Sequence, residues 1–362
     1  MQYRFNRRNF LWYGSVTLAS TVLLKACAST PTDTADDAET SAATSTDSEV
    51  SGESSGDFKV AIVLPGVITD GGWNQSGYEG VKQAAEALGA EMAYVEQVDQ
   101  PDQTEALADF ARQGYRLVAG HGGQFDAAIQ QVAAEFPDTL FLAVNGSVAG
   151  DNYAAVQTNY IQLCYLCGAM GAMMTETQKM AYITGLSFKG TQLQAKAFEL
   201  GAHSVNPDIE VAVSFTGDFN DIAKGKEAAS ALIASGVDVM LHNLDNSAPA
   251  VMEAAKEKGV YMFGNTTDQL DLAPEVVLTS AVQDIGGAIG YVIDAAYAGN
   301  FEGKQYILGL ETPEIADLGR INEDLVPPDV LEKVTTLKQD MLEGNLAFEA
   351  CEENGEPAVC PA

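Results

Sequence analysis

The chain has 362 residues, 46% of them apolar, and carries 51 Asp and Glu against 19 Lys and Arg for a formal charge of −32. That length exceeds one ordinary core and predicts two lobes. A field of this sign works against binding nucleic acid or an anionic lipid surface and favours solubility.

The first 27 residues hold Arg4, Arg7, Arg8 and Lys25 with no acid, and their apolar run ends in Leu24-Lys25-Ala26-Cys27. A charged start, a short apolar stretch and a small residue before a cysteine predict an export signal. Its paired arginines resemble a twin-arginine signal, and Leu24 to Cys27 resembles a lipobox with Cys27 as the lipidated residue. The alternative is an uncleaved anchor; either way the rest of the chain faces outward from a membrane. Without the four basic residues of the signal, 15 remain against 51 acids, a charge of −36. Residues 28–57 are mostly Ser, Thr, Ala and Gly with eight acids and no Lys or Arg. Such a segment buries too little apolar surface to offset its chain entropy and predicts a disordered acidic tether.

From residue 58, β-branched runs alternate with amphipathic ones, the pattern of an α/β fold with parallel sheets covered by helices. Strands are predicted near 59–64, 91–96, 116–120 and 139–144, and helices near 74–88, 102–113 and 124–136. In the last of these, Phe125, Ala128, Ile129, Val132, Ala133 and Phe136 recur at spacings of three and four, and Pro137 ends it. After GDNYAAVQTN at 150–159 a second series follows: helix 160–176, strand 179–184, helix 192–205, strand 209–214, helix 221–235, strand 237–241, helix 246–258 and strand 260–263. Strand 277–281, helix 284–299, strand 305–310 and a helix near 328–343 complete it. The expected architecture is two doubly wound, Rossmann-like lobes with several crossovers: residues 58–159 plus 284–302, and 160–283 plus 303–345, followed by a tail at 346–362.

Cys351 and Cys360 close a short loop in that tail, where an oxidising compartment favours a disulfide. Cys164 and Cys167, among Ala, Gly and Met in LCYLCGAMGAMM, suit a buried helix in which cysteine acts as a small apolar residue.

Ligands in open parallel sheets sit beyond the carboxyl ends of strands and in clefts between domains. The loops after strands contain no GxxxxGK[ST], GxGxxG or GxSxG. GHGGQF at 120–125 lies between a strand and a helix but has Phe125 where a dinucleotide fingerprint needs its last glycine. His121 and His242 fall in post-strand positions and could line a pocket, whereas His203 sits late in a helix; the three show no metal-ligand spacing, so no metal or cofactor is expected. An exported nucleoside hydrolase would need acids such as Asp218, Asp221, Asp245 and Asp268 clustered around water or a metal, and their spacing gives no such cluster.

The first post-strand loop leads into TDGGWNQSGYEG at 69–80. Asp70 offers acceptors, Asn74 a donor and an acceptor, Gly71 and Gly72 allow close backbone approach, and Trp73 gives a flat face for stacking. Together they suit a flat ring with a polar edge. They equally suit a local role, with Asp70 and Asn74 capping the helix and Trp73 packed between loop and sheet.

DGGWNQSGYEG from Asp70 to Gly80 resembles the signature of the basic membrane lipoprotein family, substrate-binding proteins that include purine nucleoside receptors. Further similar segments are FDAAIQQVAAEFPD at 125–138, YLCG at 165–168, FELGAHSVNPD at 198–208, GDFND at 217–221, GKEAA at 225–229, GVDV at 236–239, GNTTDQ at 264–269 and LTS at 278–280. The resemblance implies a type I binding protein that closes around a nucleoside and feeds the permease and ATPase of an ABC importer, tethered by lipid. It implies that Asp70 and Asn74 hold the base edge, that Trp73 replaces a stacking phenylalanine, that Asp268 lies near the ribose, and that Phe125 and Phe188 form a second aromatic wall. Asn243 and Asp245 are the expected closing contacts from the second lobe. Two departures stand out: Thr266 replaces an acid, and Gln283 a lysine, which exchanges a charged pair for neutral hydrogen bonds and would alter the sugar or remove it. A flavin, a free nucleobase or a sensing role are the alternatives.

Overall fold

The computed structural model describes residues 58–70 and 72–362. The segments predicted as export signal and tether, with Cys27, lie outside them.

Numbered in chain order, β1 (Lys59–Val63), β2 (Glu91–Val95), β3 (Leu117–His121), β4 (Leu140–Val144), β5 (Tyr153–Thr158) and β11 (Gln305–Leu308) form the first sheet. It is parallel throughout, in the order β11-β5-β4-β3-β1-β2. Because side chains alternate across a strand, β1 feeds two cores at once. Val60 and Ile62 pack with Val81 and Ala85 of α1 (Trp73–Leu88) and with Ile289 and Val292 of α8 (Ile285–Tyr297). Ala61 and Val63 pack with Leu107 of α2 (Gln103–Arg112) and Ile129 of α3 (Asp126–Glu135). Helices on both faces account for the unbroken apolar run LFLAV in β4.

The second sheet comprises β6 (Lys179–Thr184), β7 (Glu210–Phe215), β8 (Val239–Asn243), β9 (Tyr261–Thr266), β10 (Val277–Gln283) and β12 (Ala316–Leu318), in the order β12-β10-β9-β8-β6-β7. Only β12 runs antiparallel. One face is covered by α4 (Tyr160–Met174), α5 (Lys189–Val205) and α9 (Pro328–Leu342), the other by α6 (Ile222–Ala234) and α7 (Ala248–Lys256). Gly168 of α4 and Gly201 of α5 let these helices touch backbone to backbone: a β-carbon on either would collide with a carbonyl of the other helix. Cys164 and Cys167 are buried in this core, and burial pushes the Cys164 thiol up to about 12 and Cys167 well above its ordinary value.

The chain crosses between lobes three times, from β5 into α4, from β10 into α8 and from β11 into β12. The β11 strand corrects the expected grouping of residues 303–345 with the second lobe, since Gln305 to Leu308 pair in parallel with Ala155 to Thr158 of the first sheet. Three further elements escape the periodicity: β5, β12 and the C-terminal hairpin of β13 (Phe348–Glu353) and β14 (Glu356–Pro361). A disulfide joins Cys351 and Cys360 across that hairpin, and Phe348 sets its ring 4.7 Å from that of Tyr165 on α4.

Candidate functional site

The loop after β8 approaches the loop after β1 at Gly72, and residues 65–70 and 72–74 form the first lobe's contribution. Asp70 sits ahead of α1, whose first N–H groups have no helical partner. Its Oδ1 accepts from Gly72 N at 2.9 Å and Gln75 N at 3.0 Å, and its Oδ2 from Asn74 N at 2.9 Å and Asn74 Nδ2 at 2.7 Å. Burial acts to raise its pKa, but these donors outweigh it and hold the carboxyl below its ordinary value. Asn74 Oδ1 in turn accepts from Gly66 N at 3.1 Å, closing the loop on itself. Four donors fill the acceptor capacity of a carboxylate. In this geometry Asp70 and Asn74 are organisers of the corner, the local role their sequence also allowed.

Trp73 is the first residue of α1 and lies half-buried on His121, ring centroids 4.1 Å apart and planes within 22°. His121, the last residue of β3, is fully buried, and its Nε2 donates to the Trp73 carbonyl at 2.8 Å. Nδ1 then carries only a lone pair and has no partner. Gly77, one turn into α1, leaves room for the imidazole, with which a β-carbon would collide. Burial lowers the His121 pKa to about 4, against smaller opposing effects of the Trp73 carbonyl and Asp70, so the ring is neutral at ordinary pH. The indole therefore rests on a second, uncharged ring whose tautomer is fixed.

Asp245, after β8, lies against this corner: a β-carbon built on Gly72 would stand 3.7 Å from its Cγ, an ordinary van der Waals separation. Asn243, at the end of β8, donates through Nδ2 to Gln194 Oε1 at 2.7 Å, and Gln194 Oε1 is also the acceptor for the Tyr182 hydroxyl. Phe188 is 52% exposed at the start of α5, tilted against Phe219 with centroids 6.3 Å apart. Thr191 Oγ1 fixes that turn, accepting from Phe188 N at 3.1 Å and donating to the Leu186 carbonyl at 2.8 Å.

Three expected ligand residues stand elsewhere. Phe125 is a correction: with no exposed surface it belongs to the core beneath α3, against Gly120, and forms no wall of the cleft. Asp268 is held by Arg320, whose Nε and backbone N donate to Oδ2 at 2.6 and 3.2 Å, while Leu270 N donates to Oδ1 at 3.1 Å. Partial burial raises the Asp268 pKa, and these bonds more than reverse it. Gln283 is buried at the hinge, where its Oε1 accepts from Thr158 Oγ1 at 2.8 Å and its Nε2 donates to Asn265 Oδ1 at 3.3 Å. Thr158 ends β5 and Gln283 ends β10, so this bond clips together two of the three crossovers at the point where each leaves its sheet. The chain of bonds runs on from Asn265 N to Gln269 Oε1 at 3.1 Å, which also accepts from His242 Nε2 at 2.8 Å. Thr266, the last residue of β9, has φ +69°, a left-handed conformation rare for a β-branched residue, and Asn145, directly after β4, has φ +53°.

Polar capacity remains on the second lobe and the hinge. Asp245 has no side-chain partner among the described residues, and the buried Asn145 Oδ1 and Thr184 Oγ1 accept nothing. Sequence reasoning did not find Thr158, Gln194 or Asn265, whose neutral side chains carry no distinctive spacing; Arg320 was detectable only as one of few basic residues. Among the described residues no group of three or more His, Cys, Asp or Glu could hold a metal ion. Asp221 instead caps α6 through Lys224 N, away from any acid cluster.

Two α/β lobes of like strand order, linked by three crossovers, define a bilobal solute-binding protein. The chain belongs to the Bmp family: residues 58–337 match the family model for ABC transporter substrate-binding proteins that are PnrA-like. It is 31% identical over 244 residues to a purine-binding protein of Brucella abortus, covering 66% of this chain and 68% of that one. It is 27% identical to the ABC transporter nucleoside-binding protein BmpA of Lactococcus lactis, covering 80% and 88%. The crystal structure of a transcriptional activator of the comK gene from Bacillus halodurans superposes with TM-score 0.68 at 26% identity over 78% of this chain and 97% of that one. Bmp proteins are extracytoplasmic solute carriers and not enzymes, so this chain takes a small-molecule ligand and works with a permease and an ATPase. Among the described residues no helix is long and apolar enough to cross a membrane.

Proposed function

We propose that this chain binds a purine nucleoside between its lobes, with the base stacked on Trp73, and delivers it to an ABC importer while held to the membrane by lipid on Cys27 after export by the twin-arginine route. The observation that carries this reading is the meeting of the Trp73 corner, braced by His121, with Asp245 of the opposite lobe. A stacked base is worth ~1–3 kcal/mol in comparable sites, and the ring face of Trp73 is the group here suited to it. With Asp70 and Asn74 committed to the loop, the polar edge of the base falls to Asp245 and Asn243, and Phe188 supplies the second aromatic surface. Asp268 and Gln283 then act at one remove, through Arg320 and through the hinge. The names of two relatives, a purine-binding and a nucleoside-binding protein, favour the same ligand class. Closure follows when ligand held by one lobe gains contacts to the other, since only a differential affinity for the closed form shifts the equilibrium.

A second reading, a sensor that transports nothing, is favoured by the name of the Bacillus halodurans relative, a transcriptional activator. A permease and an ATPase encoded beside this chain would favour transport. Mass spectrometry of the small molecule that copurifies with the protein tests the ligand class: a purine nucleoside supports the proposal, and a sugar or amino acid refutes it.

A further inference from the structure

The loop after β8 is tied down by its own backbone, and what it leaves unspent is a carboxylate. Asp245 N donates to the Phe219 carbonyl at 3.0 Å, and the Asp245 carbonyl accepts from Ala248 N at 3.0 Å. Its neighbours are held as well: Asn246 Nδ2 donates to Asn220 Oδ1 at 2.8 Å, and Ser247 Oγ to the Phe219 carbonyl at 2.8 Å. The Asp245 side chain stands against Gly72, the residue before Trp73, exposed and with no hydrogen bond or ion pair among the described residues. Of the basic side chains on this lobe, Arg320 is spent on Asp268 and Asp271, and Lys224 faces Asp221 at 3.4 Å. An exposed carboxylate is ionised at neutral pH, so Asp245 offers two adjacent acceptors and no donor.

We propose that Asp245 reads the base and selects guanine nucleosides over those of adenine. This inference rests on the purine-nucleoside reading and narrows it. A base stacked on Trp73 meets a carboxylate beside Gly72 with an edge and not a face. Guanine sets two N–H donors side by side, N1–H and N2–H, which match the two oxygens of a carboxylate, so both are satisfied at once. Hypoxanthine keeps N1–H but has a C–H at position 2, and one oxygen goes unpaired. Adenine has one donor group, the N6 amino, flanked by the lone pairs of N1 and N7, so the second oxygen meets a lone pair. The order of affinity is then guanosine, inosine, adenosine. Asp70 cannot play this part, since four donors already fill it. Asn243, which carries both a donor and an acceptor, suits either base. A site built on hydrogen bonds rejects an analogue that lacks them far more strongly than an apolar pocket rejects a change of size.

The test titrates ligand-stripped protein calorimetrically with guanosine, inosine and adenosine at pH 7.5, in the native chain and in Asp245→Asn. The native chain is expected to bind guanosine at least about tenfold more tightly than adenosine, the least that one charge-assisted hydrogen bond implies. Asparagine replaces one acceptor with a donor, which complements adenine, and at an exposed position it should leave circular dichroism unchanged. In that variant the guanosine-to-adenosine ratio is expected to fall at least about tenfold, chiefly through weaker guanosine binding. Equal affinity for guanosine and adenosine in the native chain, or a ratio that Asp245→Asn does not move, overturns the proposal. A uniform loss across all three nucleosides overturns it too, since that places the carboxylate on the sugar they share. In each of these cases the nucleoside reading stands, whereas the absence of binding by all three removes both.

Discussion

Trp73 owes its setting to a neighbour 48 positions along the chain, His121, which pins the backbone carbonyl and supports the indole from beneath. Trp12 and Trp73 are the two tryptophans of the sequence, so with Trp12→Phe in place emission reports on Trp73 alone. His121→Ala removes both the stack and the hydrogen bond; we expect Trp73 emission to shift to the red and ligand affinity to fall about fivefold or more, given roughly 0.5–1.5 kcal/mol for a ring pair and a similar sum for the hydrogen bond. Unchanged emission would mean that His121 does not hold the ring. Residues of this corner were legible in TDGGWNQSGYEG because glycine, tryptophan and an Asx pair are rare together at a strand-to-helix turn. What the sequence could not reveal was how their hydrogen bonds are divided. Asp70 has enough local donors to be filled by its own loop, and only coordinates count them. Phe125 failed for a different reason: a residue that begins a helix after a strand can point into the core as readily as into a cleft, and Gly120 opens the space behind it.

Helices and strands with strong periodicity lie within a few residues of their expected bounds, as in strand Lys179–Thr184 and helix Pro328–Leu342. β5 was missed because YAAVQT is short and half polar, its burial coming from β4, β11 and α8 and not from its own pattern. β12, three residues long, exists only by pairing with β10. Tertiary contact, which the local sequence does not encode, makes both. The α4–α5 crossing yields a sharp prediction: Gly201→Val forces the helices apart, and a loss of about 1–3 kcal/mol in denaturant unfolding is expected from overpacking. At the hinge, Gln283→Ala strips two partners from a buried site and is expected to cost about 1–3 kcal/mol in the same measurement. It should also change the open-to-closed ratio, which a residue of purely structural consequence elsewhere in the lobe would leave alone.

For the molecule as a whole, acid is the expected weakness. His121 and His242 are buried and neutral, with pKa values lowered by burial to about 4 from 6.5. The unfolded chain therefore takes up protons first as pH falls, and the stability fully present above about 6.5 is lost progressively toward 4, on the order of 3 kcal/mol for each ring. Asp70 and Asp268, whose pKa values lie below the ordinary one, lose stability in the same direction at still lower pH. Denaturant midpoints measured from pH 7.5 to 4.5 should fall steadily, and a flat profile would contradict the buried neutral state of both histidines. Closure over a planar solute is the claim on which the functional account turns. Its most direct measurement is calorimetric titration of ligand-stripped protein with adenosine, guanosine and inosine, alongside Trp73→Ala. The account predicts binding of at least one of them by the native chain and an affinity about 5- to 150-fold weaker without the indole, the range that ~1–3 kcal/mol of stacking implies. No heat with any purine nucleoside, or equal affinity in Trp73→Ala, would contradict it.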